Sequence, residues 1–379
     1  MNKHIAPKSR SRSAHRIEPL EDRIAPAFVF SVTGSVATIS SDGVGDSANS
    51  SVVIDESAGN LTVTVGGSPL SNVGPGSILV SGLTQINFTH TMGVGATTFA
   101  NLVFIDPNDD SSGPSGLDRL GLGFGFNASS SLTTGDTFNT ASLGTATSVS
   151  MTGSAGADSF ATGAAAGVTG GSGTDTLTGP NVSGAWSITA LNAGTLNTTT
   201  TFTGVENLTG GSGNDTFTFA DLGTLTGNVV GGTQAAADTL NLAAKVGAVS
   251  INQQTGVATG IGGTFAGIET AAGNGATTTI TGANAGQTFN ITGPNAGTAG
   301  ALAFTGVGNL TGGTGDDSFI FANSGTLTGN VVGGTQAAAD TLNLAAKVGA
   351  VSINQQTGVA TGIGGTFAGI ETAVGNDGG

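Results

Sequence analysis

Cysteine and tyrosine are absent from this 379-residue chain, charged residues make up only 9% of it, and histidine and methionine occur three times each. Without cysteine there are no disulfides, thiolate metal sites or thiol nucleophiles, although this does not by itself assign a redox compartment. Long apolar runs are missing too, and nothing approaches the roughly 20 residues a membrane-spanning helix needs. Cations are scarcest of all. Residues 1–27 hold six of the nine basic residues (Lys3, Lys8, Arg10, Arg12, Arg16, Arg23) against Glu18, Glu21 and Asp22, so the rest of the chain has only Arg119, Lys245 and Lys347 against 21 acidic residues. Clustered cations are what phosphate binding requires, so a nucleic-acid surface is excluded and small cations become the natural counter-species.

What is abundant is glycine, at 67 residues, with Thr, Ser, Asn and Ala; phenylalanine supplies 18 of the 19 aromatics. Such a composition favours short strands and tight turns over helices. The strongest signal is internal repetition. Residues 223–271 recur unchanged at 325–373, an offset of 102, and the flank "FTGVENLTGGSGNDTFTF" from Phe202 returns as "FTGVGNLTGGTGDDSFIF" from Phe304. A weaker unit lies inside, because "FAGIETAAGNGATTTITG" from Phe265 aligns with the Phe202 stretch.

Asp followed by Thr or Ser and then an apolar residue occurs at 136, 158, 175, 215, 238, 317 and 340, with Gln287 in "GQTFNITG" as a degenerate copy. The strands after these acids alternate, so Phe217, Phe219, Leu240, Leu242, Phe319 and Phe321 are expected to stack inward, with glycines at the corners. One rung cannot bury its apolar face alone and must stack on neighbours. Pairs 17 apart (Asp158, Asp175) and 23 apart (Asp215, Asp238) are candidate rung neighbours. The expected fold is all-β: a right-handed parallel β-roll or β-helix over 151–379, with a module duplication (202–303 and 304–379). An irregular β region over 28–150 begins or caps it, and a basic segment occupies 1–27.

Three nonapeptides, "GGSGTDTLT" at Gly170, "GGSGNDTFT" at Gly210 and "GGTGDDSFI" at Gly312, resemble the Gly-Gly-x-Gly-x-Asp-x-apolar-x unit of hemolysin-type calcium-binding (RTX) repeat proteins. That resemblance implies Ca2+ held by Asp175, Asp215 and Asp317, with carbonyls near Gly170, Gly173, Gly210, Gly213, Gly312 and Gly315, since hard cations take oxygen ligands. Asp158 fits with one glycine lost. Asp238 and Asp340 sit in turns two residues longer that lack the third glycine. Here the motifs stand singly, whereas the family's sites form between tandem copies. The alternative is that Gly and Asp only build and cap turns. "LEDRIAPA" at 20–27 is similar to a short N-terminal sorting motif of large exported bacterial surface proteins.

Catalysis is not expected. His4, His15 and His90 have no matching hydrolase constellation, Lys245 and Lys347 occupy the same place in both copies, and adjacent acids such as Asp109 with Asp110 or Asp316 with Asp317 face opposite sides of a strand. Trp186 is expected in the core. Threonine runs at Asn197 and Ala276 suggest ice-binding solenoids but are explained by strand propensity. The sequence therefore points to an extracellular or cell-surface scaffold or adhesin-like module. Its expected partners are calcium, cell-surface or matrix components, or other copies through solenoid ends.

Overall fold

A computed structural model describes strand backbones from residue 28 to 148, then backbone and side chains over 149–376 except 154, 163–164, 234–236 and 336–338. The 1–27 segment, Asp136 and the 105–119 loop lie outside the described residues. Every regular element described is a β-strand.

One long sheet runs through the molecule in three parallel blocks. The first stacks Gln85–His90, Gly123–Ala128, Ser148–Thr152, Ala166–Thr169 and Thr200–Thr203. The second stacks Ala185–Ala190, Thr216–Phe219, Thr239–Asn241, the start of Thr270–Thr281 and the start of Leu302–Thr311. The third stacks Thr288–Gly293, Ser318–Phe321, Thr341–Asn343 and Thr372–Val374. Ladders cross residue 150 without a break, so the N-terminal β region begins the same stack.

Between blocks the sheet is not parallel. Ala193–Leu196 lies antiparallel between Ala185–Ala190 and Thr200–Thr203, and Ala296–Ala299 does the same between Thr288–Gly293 and Leu302–Thr311. Tight reversals allow this: Asn192, Asn197 and Asn295 take φ near +51°, a left-handed conformation that asparagine tolerates better than most residues. A second, all-parallel sheet carries Leu102–Val103, Thr137–Thr140, Ser159–Thr162, Thr176–Thr178, Asn207–Thr209, Val229–Val230 and Phe265–Ala266.

Alternation places the core as expected. Phe217, Phe219, Leu240, Leu242, Phe319 and Phe321 are fully buried, and Trp186 stacks on Phe217 with centroids 5.5 Å apart. Lys245 and Lys347, both buried, reach into this core. The ammonium of Lys245 donates to the carbonyls of Asp221 (3.0 Å) and Gly223 and lies 5.8 Å from the Phe219 ring centre. Lys347 repeats this with Asn323, Gly325 and Phe321. Burial lowers the pKa of both lysines. Carbonyl oxygens and a ring face hold each ammonium, and the nearby Asp221 charge also favours the charged form of Lys245, where the second copy has Asn323.

Candidate functional site

The repeated Gly–Asp turns lie between successive strands and stack in columns. All six predicted acids, Asp158, Asp175, Asp215, Asp238, Asp317 and Asp340, are buried to 1% exposure or less. The carboxylates of Asp175, Asp238, Asp317 and Asp340 reach back one rung. Asp175 Oδ1 accepts the Asp158 N–H at 2.7 Å, Asp238 Oδ1 the Asp215 N–H at 2.7 Å, and Asp340 Oδ1 the Asp317 N–H at 2.8 Å. The spacings of 17 and 23 do mark rung neighbours. In two of the acids an oxygen closes the acid's own turn, Asp215 Oδ2 on Gly211 N–H (3.0 Å) and Asp317 Oδ2 on Gly313 N–H (2.8 Å).

Each acidic column ends on a glutamate that lies outside the Gly–Asp motif. Glu206 Oε2 accepts the Asp175 N–H, Glu269 Oε2 the Asp238 N–H and Glu371 Oε2 the Asp340 N–H, each at 2.8 Å. These glutamates sit in the short turns "GVE" and "GIE", whose glycines (204, 267, 369) take φ near +61°. Two columns start on neutral stand-ins. Gln287 Oε1 accepts the Ala283 N–H (3.0 Å) and its own N–H donates to Asp317 Oδ1 (2.8 Å), while Thr278 Oγ1 accepts the Asn274 N–H (2.8 Å).

The glycines have a mechanical reason. A Cβ on Gly210 would run into the Gly231 carbonyl and the Asp215 carboxylate, and Gly170 and Gly312 meet the equivalent carbonyl of Gly204 or Gly333 and their own acids. Gly173, at φ +137°, faces the Gly156 carbonyl, and Gly213 and Gly315 face the backbone at Ser183 and Gly286. Rung-to-rung contact leaves no room for a side chain at any of the six.

Burial is the main cause that raises the pKa of Asp175, to about 6, with the neighbouring charges of Asp158 and Glu206 adding to it and the Asp158 N–H opposing it. Asp215 and Asp317 are also raised, first by burial, against N–H donors that favour the charged form. Two oxygens, Asp175 Oδ2 and Asp215 Oδ1, are buried without a hydrogen-bond partner, as is the indole N–H of Trp186. That indole lies beside the Asp215 carboxylate and favours its charged form, although the two groups are not aligned as a hydrogen bond.

Calcium takes six to eight oxygen ligands. The hydrogen-bond partners of these carboxylates are mainly backbone N–H groups, and among the described residues no three His, Asp or Glu side chains converge on a point that could hold a metal.

A second ladder, absent from the sequence reading, uses asparagine and runs the other way. Asn207 Oδ1 accepts the Asn228 N–H and Asn228 Oδ1 the Thr264 N–H; Asn309, Asn330 and Thr366 repeat it, all at 2.8–2.9 Å. The signal was the asparagine shared by "ENLTG" and "TGNVV" in register. Comparison with protein-family models, with curated proteins and with solved structures finds no match.

Proposed function

We propose that the protein is a structural repeat module, a right-handed parallel β-solenoid used as a scaffold or adhesin-like element outside the cell, with no catalytic role. The observation that carries this reading is the stacked carboxylate and asparagine ladders, which devote the chain's buried polar groups to holding rung on rung. A buried carboxylate that meets N–H donors is satisfied inside the fold and stiffens it. Placement outside the cell rests on the likeness of the "LEDRIAPA" segment to an export-sorting motif and of the Gly–Asp turns to hemolysin-type repeats.

Calcium in the same turns is the competing reading, favoured by the unpartnered Asp175 Oδ2 and Asp215 Oδ1. Titration of the full chain separates the two. An ion that binds only the folded state raises the melting temperature by mass action, in the millimolar range typical of extracellular calcium modules. The scaffold reading expects the same far-UV circular dichroism and melting temperature in chelator, magnesium and calcium. A calcium-specific rise that vanishes in an Asp175→Ala, Asp215→Ala, Asp317→Ala variant would replace it with the calcium reading.

A further inference from the structure

Two of the short turns that close the rungs are covered by an asparagine from the hairpin at a block junction. Over the "GVE" turn at 204–206, the Asn192 carbonyl accepts the Val205 N–H at 3.2 Å and its Nδ2 donates to Glu206 Oε1 at 2.7 Å. Glu206 thus spends both oxygens, with Oε2 on the Asp175 N–H. Over the "GVG" turn at 306–308, which has no glutamate, the Asn295 carbonyl accepts the Val307 N–H at 3.1 Å. Asn192 and Asn295 hold φ of +51° and +52°, and each offers Oδ1 to a threonine N–H, that of Thr226 or Thr328, at 2.9 Å.

The "GIE" turn at 267–269 follows the same local pattern but has no asparagine over it. Glu269 Oε2 accepts the Asp238 N–H, while among the described residues Oε1 has no donor and the Ile268 N–H no acceptor. The next strand joins only beyond the turn, where the Ala303 N–H donates to the Glu269 carbonyl. Beside the turn lies a pocket of about 250 Å3, with Phe265, Ile268, Ala301 and Leu302 as apolar walls and Gln253 and Glu269 as polar ends. Gln253 is already engaged: its Nε2 donates to the Ala299 carbonyl and its Oε1 accepts from Gln287 Nε2. One carboxylate oxygen and one N–H remain open, on an exposed Glu269 and a half-buried Ile268.

We propose that this pocket binds an exposed asparagine of a partner polypeptide, seated over 267–269 as Asn192 is seated over 204–206. One such residue brings both missing partners, a carbonyl for the Ile268 N–H and a carboxamide N–H for Glu269 Oε1. An aspartate in the same place would set a carboxylate against Glu269, and an alanine would leave the glutamate oxygen without a donor. The pocket is smaller than the roughly 300–1,000 Å3 of sites for drug-sized ligands, which suits a single residue and a weak contact. The site adds recognition to the scaffold reading and does not depend on it.

The test is an amide chemical-shift titration of the full chain, in chelator, with the capped peptide acetyl-Leu-Asn-Ala-Gly-amide, which copies residues 191–194, and its Asp and Ala counterparts. The asparagine peptide should bind in the millimolar range with saturable shifts centred on 265–269 and 299–303, and the other two about tenfold or more weakly. Glu269→Gln keeps an acceptor for the Asp238 N–H but offers an NH2 to the pocket, so it should reverse the preference toward the aspartate peptide with unchanged circular dichroism. Ala301→Leu, which narrows the pocket, should abolish binding of all three. If Glu269→Gln perturbs folding, the peptide series and Ala301→Leu still decide. Absence of saturable shifts, equal affinity for the three peptides, shifts centred elsewhere, or binding left intact by Ala301→Leu would each overturn the proposal.

Discussion

Replacing Asp317 with alanine should be among the most damaging single changes outside the apolar core. Asp317 Oδ1 accepts the Gln287 N–H and Oδ2 the Gly313 N–H, both at 2.8 Å, and the residue is 1% exposed. Alanine leaves two backbone donors unpaired inside the protein, at about 1–3 kcal/mol each. Part of that is returned, because the carboxylate itself is held at a cost, as its raised pKa shows. A net loss of about 3 kcal/mol follows, which is about a hundredfold or more in local opening at 1.4 kcal/mol per decade. The amide introduced by Asp317→Asn can still accept one N–H, but its NH2 faces the other donor, so this variant should lose roughly half as much. Hydrogen exchange of peptides spanning 282–321, with urea unfolding followed by circular dichroism, reads both variants. Chelator and calcium should give the same ranking. Loss of less than about 1 kcal/mol in Asp317→Ala, or an effect confined to calcium-containing buffer, would refute the capping argument.

Three further outcomes follow from the same geometry. Gly210→Ala should destabilise by more than about 3 kcal/mol, because its Cβ meets backbone on the next rung, whereas Gly247→Ala has open space and only its φ of +86° to oppose it, costing about 1–2 kcal/mol; thermal melts compare them. Asp175 has a folded-state pKa near 6 against an ordinary 3.8, so its contribution is fully present below about pH 4 and is lost as pH rises through 6. The swing is about 3 kcal/mol, and Asp175→Asn should flatten that part of a stability profile taken from pH 4 to 7.5, while an unchanged slope would contradict it. Trp186→Phe keeps the stack on Phe217 but leaves a gap in a filled core and removes the indole beside the buried Asp215 carboxylate, so thermal melts should show a loss of about 1–3 kcal/mol.

Much of this fold was legible because the repeat exposes its own register. Alternation after each acid identified the inward residues correctly, since a period of two has only two phases and the apolar one must be covered. The 17- and 23-residue spacings marked rung neighbours. The antiparallel return strands were not legible. "AWSITALNAGTL" has the same alternating pattern as its parallel neighbours, and its direction depends on reversals at Asn192 and Asn197 that any Asn-rich loop could make. The asparagine ladder was hidden for a similar reason, because only stacking makes those side chains acceptors.

The acid turns carry the more general point. A Gly-Gly-x-Gly-x-Asp sequence states that a carboxylate sits inside a turn too tight for side chains, but not whether N–H groups or a cation face it. The N–H groups that these carboxylates meet come from neighbouring rungs, which lie 17 to 31 residues away. The glutamates show how strongly the rungs are coupled. Glu206 closes the column of Asp158 and Asp175, while the residue 102 positions later is Gly308, and there the member facing it is Thr278 in place of an aspartate. A threonine hydroxyl closes its own turn through Asn274 without bringing a buried charge, so that short column remains satisfied without acidic side chains. Where the glutamate is lost, the aspartate at the position before it is lost as well, whereas the neutral Gln287 is tolerated at the start of a column that keeps Glu371, as expected if each carboxylate's task is the amide of the rung before it.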